Sequence, residues 1–112
     1  MLVGAETQEL VFKPIEGKRL AQTIVITTED GSLGETGGVI DVLPQVVEST
    51  GAQVIYAATG RQTLRRISEF CAERRIPSQV AVEEEMACGI GLCFTCTVPV
   101  IPPTLTKSPT FI

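Results

Sequence analysis

Residues 53–82, QVIYAATGRQTLRRISEFCAERRIPSQVAV, contain the pattern that decides the fold. Two short segments, QVIYAA at 53–58 and SQVAV at 78–82, have the composition of buried strands. Between them, residues 62–75 carry an apolar stripe at helical spacing, formed by Leu64, Ile67, Phe70 and Cys71. A helical connection of this length is typical of a crossover between parallel strands. The stretch therefore predicts a strand, a helix and a second, parallel strand.

The sequence before residue 53 shows the same alternation. TIVITT at 23–28 is almost entirely β-branched and predicts a buried strand, and residues 39–48 have apolar positions at helical spacing, with Pro44 among them. The loop EDGSLGETGG at 29–38 joins the two, and its composition alone favours an ordinary solvated turn over a ligand site. The order strand, helix, strand, helix, strand indicates an α/β fold with a small parallel sheet and flanking helices.

The two ends of the chain differ from this middle part. Met1–Gly4 is a short apolar run, which predicts the end of a strand, followed by a brief helix that stops near Pro14. After residue 82 come an acidic triplet, a loop rich in cysteine and glycine, and a proline-rich tail without periodicity. We therefore expect an α/β domain over 1–82 and a segment of different character, with the tail, over 83–112.

Length and charge exclude several classes of function. The 112 residues are enough for one hydrophobic core, and the net charge of -4 offers no basic surface for a nucleic acid backbone. No apolar run approaches the roughly 18 residues of a membrane-spanning helix, and the first residues do not form a signal peptide. The chain has no histidine, which removes the usual general base of hydrolases. We expect a cytoplasmic protein that binds neither nucleic acid nor membrane.

The cysteines carry the most specific signal. Cys88, Cys93 and Cys96 follow the spacing Cys-x4-Cys-x2-Cys, which is the first part of the plant-type pattern for a 2Fe-2S cluster. Three thiolates must converge on two irons, so the chain has to wrap tightly, and Gly89 and Gly91 allow the positive φ angles that this requires. The side chains that flank Cys93 are apolar and are expected to shield the cluster from water. The sequence predicts that the three cysteines are metal ligands.

Other interpretations of the cysteines remain open. They could be small buried apolar residues, or they could hold a structural zinc ion, although zinc sites usually show two close pairs. The fourth ligand of a 2Fe-2S cluster is also not identified, because residues 97–112 contain no Cys, His, Asp or Glu. It could come from Cys71, from another chain or from sequence outside these residues, but the position of Cys71 in the apolar stripe favours a core role. Glu83, Glu84 and Glu85 are expected to form a solvated acidic face.

Three segments resemble the electron transfer subunits of dihydroorotate dehydrogenase, members of the ferredoxin-reductase superfamily. VAVEEEMACGIGLCFTC at 80–96 is similar to the entry into the 2Fe-2S site of that family. TTEDGSLGETGGVIDVL at 27–43 is similar to the loop and helix that follow a middle strand of its nucleotide module. VIYAATGRQTLRRISEF at 54–70 occupies the place of the strand and helix that lead into the cluster segment. The resemblance covers about residues 1–98.

The resemblance implies a role in electron transfer. Members of this family pass electrons between NADH, FAD and a 2Fe-2S cluster, and a flavoprotein partner subunit carries FMN and the chemistry of pyrimidine biosynthesis. By this likeness residues 1–82 would be a partial α/β nucleotide-binding-like domain and residues 83–112 the iron-sulfur cluster-binding segment with its proline-rich tail. Cys88, Cys93 and Cys96 would hold the cluster. The flavin-binding barrel and the glycine-rich phosphate turn of the family have no counterpart in these residues, so FAD and NAD are implied only for the full-length family and no residue is assigned to them.

Two functions from different classes follow from this. The first is an electron-transfer component, at most a non-catalytic part of an oxidoreductase complex, that works in a homo- or hetero-oligomer with a flavoprotein. The second is a divergent or truncated scaffold or oligomerisation module, either metal-free or with structural zinc. The cluster spacing favours the first, whereas the incomplete nucleotide module favours the second, because open strand edges require a covering partner.

Overall fold

The computed structural model describes residues 1–100 together with Thr110 and Phe111. The helices in this part are α1 (Pro14–Leu20), α2 (Val39–Thr50) and α3 (Arg61–Arg74), with a 3-10 turn at Gln8–Leu10. The strands are β1 (Leu2–Ala5), β2 (Val25–Thr28), β3 (Glu35–Thr36), β4 (Ile55–Ala58), β5 (Ser78–Ala81), β6 (Pro99–Val100) and β7 (Thr110–Phe111). These elements confirm the predicted α/β class. Most of the predicted proline-rich tail, residues 101–109 and 112, lies outside the described residues.

The parallel strands form two sheets rather than the single predicted sheet. One has the order β1-β2-β3, with Leu2 opposite Val25, and the other consists of β4 and β5, with Ile55 opposite Ser78. Within the described residues β1 and β4 each pair on one side only, and they do not pair with each other. The short strands β6 and β7 form a separate antiparallel pair. The prediction of parallel pairing is therefore confirmed, but that of one continuous sheet is wrong.

A shared layer of two helices joins the two sheets. The core contains buried side chains from α2 and α3, namely Leu43, Val47, Ile67 and Cys71. Leu2 of β1 packs against this cluster from one sheet, and Ile55 and Ala57 of β4 pack against it from the other. The stripe predicted for α3 is confirmed, since three of its members are buried and Phe70 is half-buried. Burial of these side chains supplies the main favourable free energy of folding.

The chain around Pro14 differs from the expectation. The brief helix expected before this proline is the 3-10 turn Gln8–Leu10, and a further helix that was not predicted, α1, begins at Pro14 after Lys13 in the left-handed conformation with φ 46°. A proline fits the first helical turn because its missing N–H has no partner there in any helix. Pro14 therefore separates the predicted short helical segment from a helix that the sequence analysis missed.

The loop between β2 and α2 is an ordered turn that contains β3. The hydroxyl of the buried Thr28 donates to the carbonyl of Leu33 at 2.9 Å and accepts from the N–H of the same residue at 3.0 Å. Gly34 has a φ of 76°, and its Cα lies against the backbone of Ile26. These contacts fold the loop back on the end of β2. The sequence predicted a turn here but missed the two-residue strand.

Asp41 is expected to stabilise the start of α2. One oxygen of its carboxylate accepts a hydrogen bond of 2.9 Å from the N–H of Gly38, the residue before the helix. Replacing Asp41 with alanine removes this bond and a negative charge near the positive end of the helix, so the free energy of unfolding should fall by about 1 kcal/mol. Urea denaturation followed by circular dichroism measures the change. The exposed Gln45→Ala on the same helix serves as the control, and an equal change in both variants would contradict the assignment.

Candidate metal centre

The cysteine-rich loop follows β5 and bends sharply three times. Gly89 and Gly91 have φ angles of 66° and 77°, as the sequence predicted, and Phe94 adopts a positive φ of 57° as well. A Cβ atom at either glycine would meet no atom within 4 Å apart from the adjoining residues, so the glycines are required by backbone conformation and not by crowding. The turns bring residues five positions apart together at the surface.

Two of the three predicted ligands lie side by side. The Sγ atoms of Cys88 and Cys93 are 3.3 Å apart, and the hydroxyl of Thr95 lies 3.2 Å from the sulfur of Cys93. Cys93 is exposed and Cys88 is half-buried. The spacing in the sequence predicted the convergence of the cysteines, but it gave no indication of Thr95, whose only signal is its position between two cysteines. The pair is open to a metal from the solvent side.

Hydrogen-bond donors stabilise the thiolate form of both residues. The backbone N–H groups of Cys93, Ile90 and Leu92 are directed at the sulfur of Cys88 and, together with the Cys93 thiol, lower its pKa from 9.0 to about 6. The hydroxyl and the N–H of Thr95 lower the pKa of Cys93 below its ordinary value. A thiolate, not a thiol, binds metal. The donor set therefore fits a metal group that needs anionic sulfur ligands.

The other two cysteines are placed differently. Cys96 is half-buried, and no three Cys, Asp or Glu side chains within residues 1–100 and 110–111 converge so as to hold a metal ion. Cys71 is 2% exposed and packs in the core of α2 and α3, which confirms the expected core role. A sulfur enclosed by apolar side chains is not accessible to a metal bound at a surface loop. The structure thus brings together Cys88 and Cys93 but not Cys96 or Cys71.

The apolar side chains of the loop do not cover the thiols. Leu92 and Phe94, which were expected to shield the cluster, are 73% and 70% exposed, and Met86 and Ile90 are exposed to a similar extent. Shielding of a bound cluster by these side chains stays a prediction. We call these four side chains the apolar rim of the loop. An exposed apolar surface of this kind usually marks a contact with another molecule.

An ion pair anchors the acidic segment that leads into the loop. Arg61, the first residue of α3, lies with its guanidinium 3.4 Å from the carboxylate of Glu84, whose side chain is 20% exposed. Glu83, Glu84 and Glu85 also line a cavity of about 440 Å³ together with Thr59 and Gly60. The expectation of a purely solvated acidic face is thus wrong for Glu84. The pair is too exposed on the arginine side to contribute much stability, but it fixes the course of the chain.

The low pKa of Cys88 should appear in its reactivity. In the metal-free chain, the rate of alkylation of Cys88 by iodoacetamide should rise with pH through about 6 and level off near pH 7, because the thiolate is the reactive form. An ordinary cysteine would show the rise near 9.0. Mass spectrometry of the peptide containing Cys88 measures the rate. The urea-unfolded chain is the control, and the same profile in folded and unfolded chains would contradict the hydrogen-bonded arrangement.

Comparisons with known proteins point to one family. Residues 83–106 match the family described as the iron-sulfur cluster binding domain of dihydroorotate dehydrogenase B. The chain is 34% identical over 98 residues to the dihydroorotate dehydrogenase B (NAD(+)) electron transfer subunit of Desulforamulus reducens, which covers 88% of this chain and 37% of that protein. The corresponding subunit of Geobacillus thermodenitrificans is 35% identical over 95 residues, or 85% of this chain and 35% of that protein.

A third relative, from Methanopyrus kandleri and named for the same subunit, is 37% identical over 81 residues, which is 72% of this chain and 31% of that protein. The chain thus spans about a third of the length of the relatives that it matches. The resemblance inferred from the sequence is confirmed, and it concerns the part of these subunits that includes the iron-sulfur segment. Helices α1 to α3 are all too short or too polar to cross a bilayer.

Proposed function

Because the chain resembles the electron transfer subunits of dihydroorotate dehydrogenase B over most of its length, we propose that it transfers electrons through a 2Fe-2S cluster to or from a flavoprotein partner. The cluster ligands in this proposal are Cys88, Cys93 and Cys96. The observation that carries it is the pair of thiolate-stabilised sulfurs 3.3 Å apart within the segment that matches the iron-sulfur family. We propose that the partner is the catalytic subunit of a dihydroorotate dehydrogenase and that the chain acts in pyrimidine biosynthesis, which the names of the relatives support.

The residues of the loop have distinct tasks in this proposal. A bound 2Fe-2S cluster supplies the capacity to accept and release one electron at a time. The N–H groups around Cys88 and the hydroxyl of Thr95 stabilise negative charge on the sulfurs, and they would raise the reduction potential of a bound cluster relative to a loop without these donors. The glycines keep the loop narrow enough for these donors to reach the sulfurs.

The fourth ligand must come from elsewhere. Residues 97–112 contain no side chain of a type that binds iron, and Cys71 is enclosed in the core. We propose that a residue outside 1–112 supplies this ligand, either from sequence beyond these residues or from another chain. Such an arrangement agrees with the apolar rim, because a partner that covered Met86, Ile90, Leu92 and Phe94 would lie directly over the thiols.

The domain organisation and the location of the protein complete the proposal. We place the boundary between residues 82 and 83, where the match to the iron-sulfur family begins, so that 1–82 is the partial α/β domain and 83–112 the cluster segment. FAD and NAD belong to the full-length relatives and are not assigned to any residue here. Free, exposed thiols such as Cys93 persist in reducing compartments, which supports a cytoplasmic location.

Analysis of metal and sulfide tests the proposed function. The protein should be purified under anaerobic conditions, with its partner chain where that is known, and assayed for iron, acid-labile sulfide and zinc. We expect about two irons and two sulfides per protein chain and no stoichiometric zinc. Zinc without sulfide would show a structural site instead. Protein that stays free of iron after reconstitution with iron and sulfide would contradict the electron-transfer role.

A further inference from the structure

We propose that Cys88 and Cys93 form a reversible disulfide when the loop holds no metal, and that this bond blocks the uptake of iron until a thiol breaks it. The second half, on iron uptake, rests on the proposed function of the loop. The first half rests only on the positions of the two sulfurs. The proposal therefore separates into two statements that different measurements test.

The geometry of the loop favours this bond over any other in the described chain. The two sulfurs are 3.3 Å apart, and a disulfide of about 2.05 Å requires them to approach by little more than about 1 Å. The four intervening residues include Gly89 and Gly91, and a Cβ atom built on either of them meets nothing within 4 Å apart from the adjoining residues. The loop therefore has both the backbone freedom and the space to tighten.

Exposure makes the pair accessible to an oxidant. Cys93 is exposed, and its neighbours Leu92 and Phe94 are 73% and 70% exposed, so a small disulfide from solution reaches the sulfur without a conformational change. Cys71 is 2% exposed and packs within the core. The same molecule thus contains an accessible pair of thiols and a protected one, which serves as an internal control.

The oxidant in this proposal is a small disulfide of the glutathione type. The thiolate of Cys93 attacks one of its sulfurs, the original S–S bond breaks, and one glutathione thiol leaves. The thiolate of Cys88 then attacks the sulfur of Cys93 and releases the second glutathione thiol. Two protein thiols are oxidised and one small disulfide is reduced to two thiols, so atoms and electrons balance. Reduced glutathione or a dithiol reverses both steps.

The bond removes two of the three predicted ligands at once. A sulfur in a disulfide carries no negative charge and does not serve as a thiolate ligand. Only Cys96 then remains in the loop, and one thiolate is too few to retain a 2Fe-2S cluster. Oxidation of the metal-free chain would therefore leave the loop unable to bind iron until a reductant breaks the disulfide.

Thiol mapping tests the first half. The full chain is freed of metal with a chelator under argon, incubated with glutathione disulfide, blocked with iodoacetamide in denaturant and digested for fragmentation mass spectrometry. We expect the wild type to lose two of its four thiols and to carry a bond between Cys88 and Cys93. Cys96→Ser, the matched control, should form the same bond, whereas Cys88→Ser should retain glutathione on Cys93. A bond between Cys93 and Cys96, or a lasting glutathione adduct in the wild type, would overturn the disulfide.

Reconstitution tests the second half. Reduced and oxidised samples of the same full chain are incubated with iron and sulfide, with and without a dithiol, and their iron content is measured. We expect loss of iron uptake in the oxidised sample and full recovery after the dithiol. Equal uptake in both samples would overturn the block. A reduced sample that also takes up no iron would overturn the block together with the proposed function, while the thiol map would still decide whether the disulfide forms.

Discussion

Cys93→Ser is expected to abolish iron retention by the chain. The substitution removes one sulfur of the pair that lies 3.3 Å apart and leaves Cys88 beside a hydroxyl, which is a poor ligand for iron. The contents of iron and of acid-labile sulfide should each fall from about two per chain to near zero, and the visible absorption of the reconstituted protein should disappear. Folding should be unaffected, because the loop lies at the surface, and circular dichroism can confirm this.

Cys71→Ala is the matched control for this experiment. It removes a sulfur from the core between α2 and α3, so it should lower the free energy of unfolding by about 1 kcal/mol without changing the iron content. Cys93→Ser should therefore change the iron content but not the stability, whereas Cys71→Ala should change the stability but not the iron content. If the folded Cys71→Ala variant loses its iron as well, Cys71 is a ligand and the assignment of the fourth ligand to a residue outside 1–112 is wrong.

Among glycine-to-alanine substitutions in the loop after β2, Gly34→Ala should cause the largest loss of stability. The residue has a φ of 76°, and a Cβ atom there would overlap the carbonyl oxygen of Ile26, which belongs to β2. Both the strained conformation and the overlap with a backbone atom oppose the native state, because neither a strand nor its carbonyl moves freely. We expect the free energy of unfolding to fall by about 3 kcal/mol or more.

Gly51→Ala separates the two contributions. Gly51 ends α2 with a φ of 62°, but a Cβ atom at this position would meet nothing within 4 Å. In this variant the free energy of unfolding should fall only by the cost of placing an alanine in the left-handed conformation, about 1 kcal/mol. Urea denaturation of both variants gives the comparison. Equal losses would show that Gly34 does not approach the backbone of β2 as described.

The fold was predictable where a local pattern determines it. The apolar stripe of α3 gave the buried face correctly, because helical periodicity alone places Leu64, Ile67 and Cys71 on one side. The division into two sheets was not predictable, because strand pairing joins residues distant in sequence. Helix α1 was missed for a related reason: a proline marks a helix boundary, but only the surrounding chain decides whether a new helix starts there.

The candidate site shows the same limit. Cysteine spacing and the two glycines were enough to predict that Cys88 and Cys93 approach each other, because the closed loop is short. The donors that lower the pKa of Cys88 and the contact of Thr95 with Cys93 depend on the path of the backbone, which composition does not determine. The exposure of Leu92 and Phe94 was missed because an apolar residue gives no information about whether its partner lies in the same chain.

The division of the strands into two sheets affects how the molecule opens. β4 and β5 pair with each other, and their connection to β1, β2 and β3 passes through side chains of α2 and α3 rather than through backbone hydrogen bonds. Such a connection allows the pair β4 and β5 to open while β1, β2 and β3 stay paired, so that the two sheets have different free energies of opening. The amides of β5, which leads into the cysteine loop, should therefore exchange with solvent deuterium faster than those of β2, which pairs on both sides.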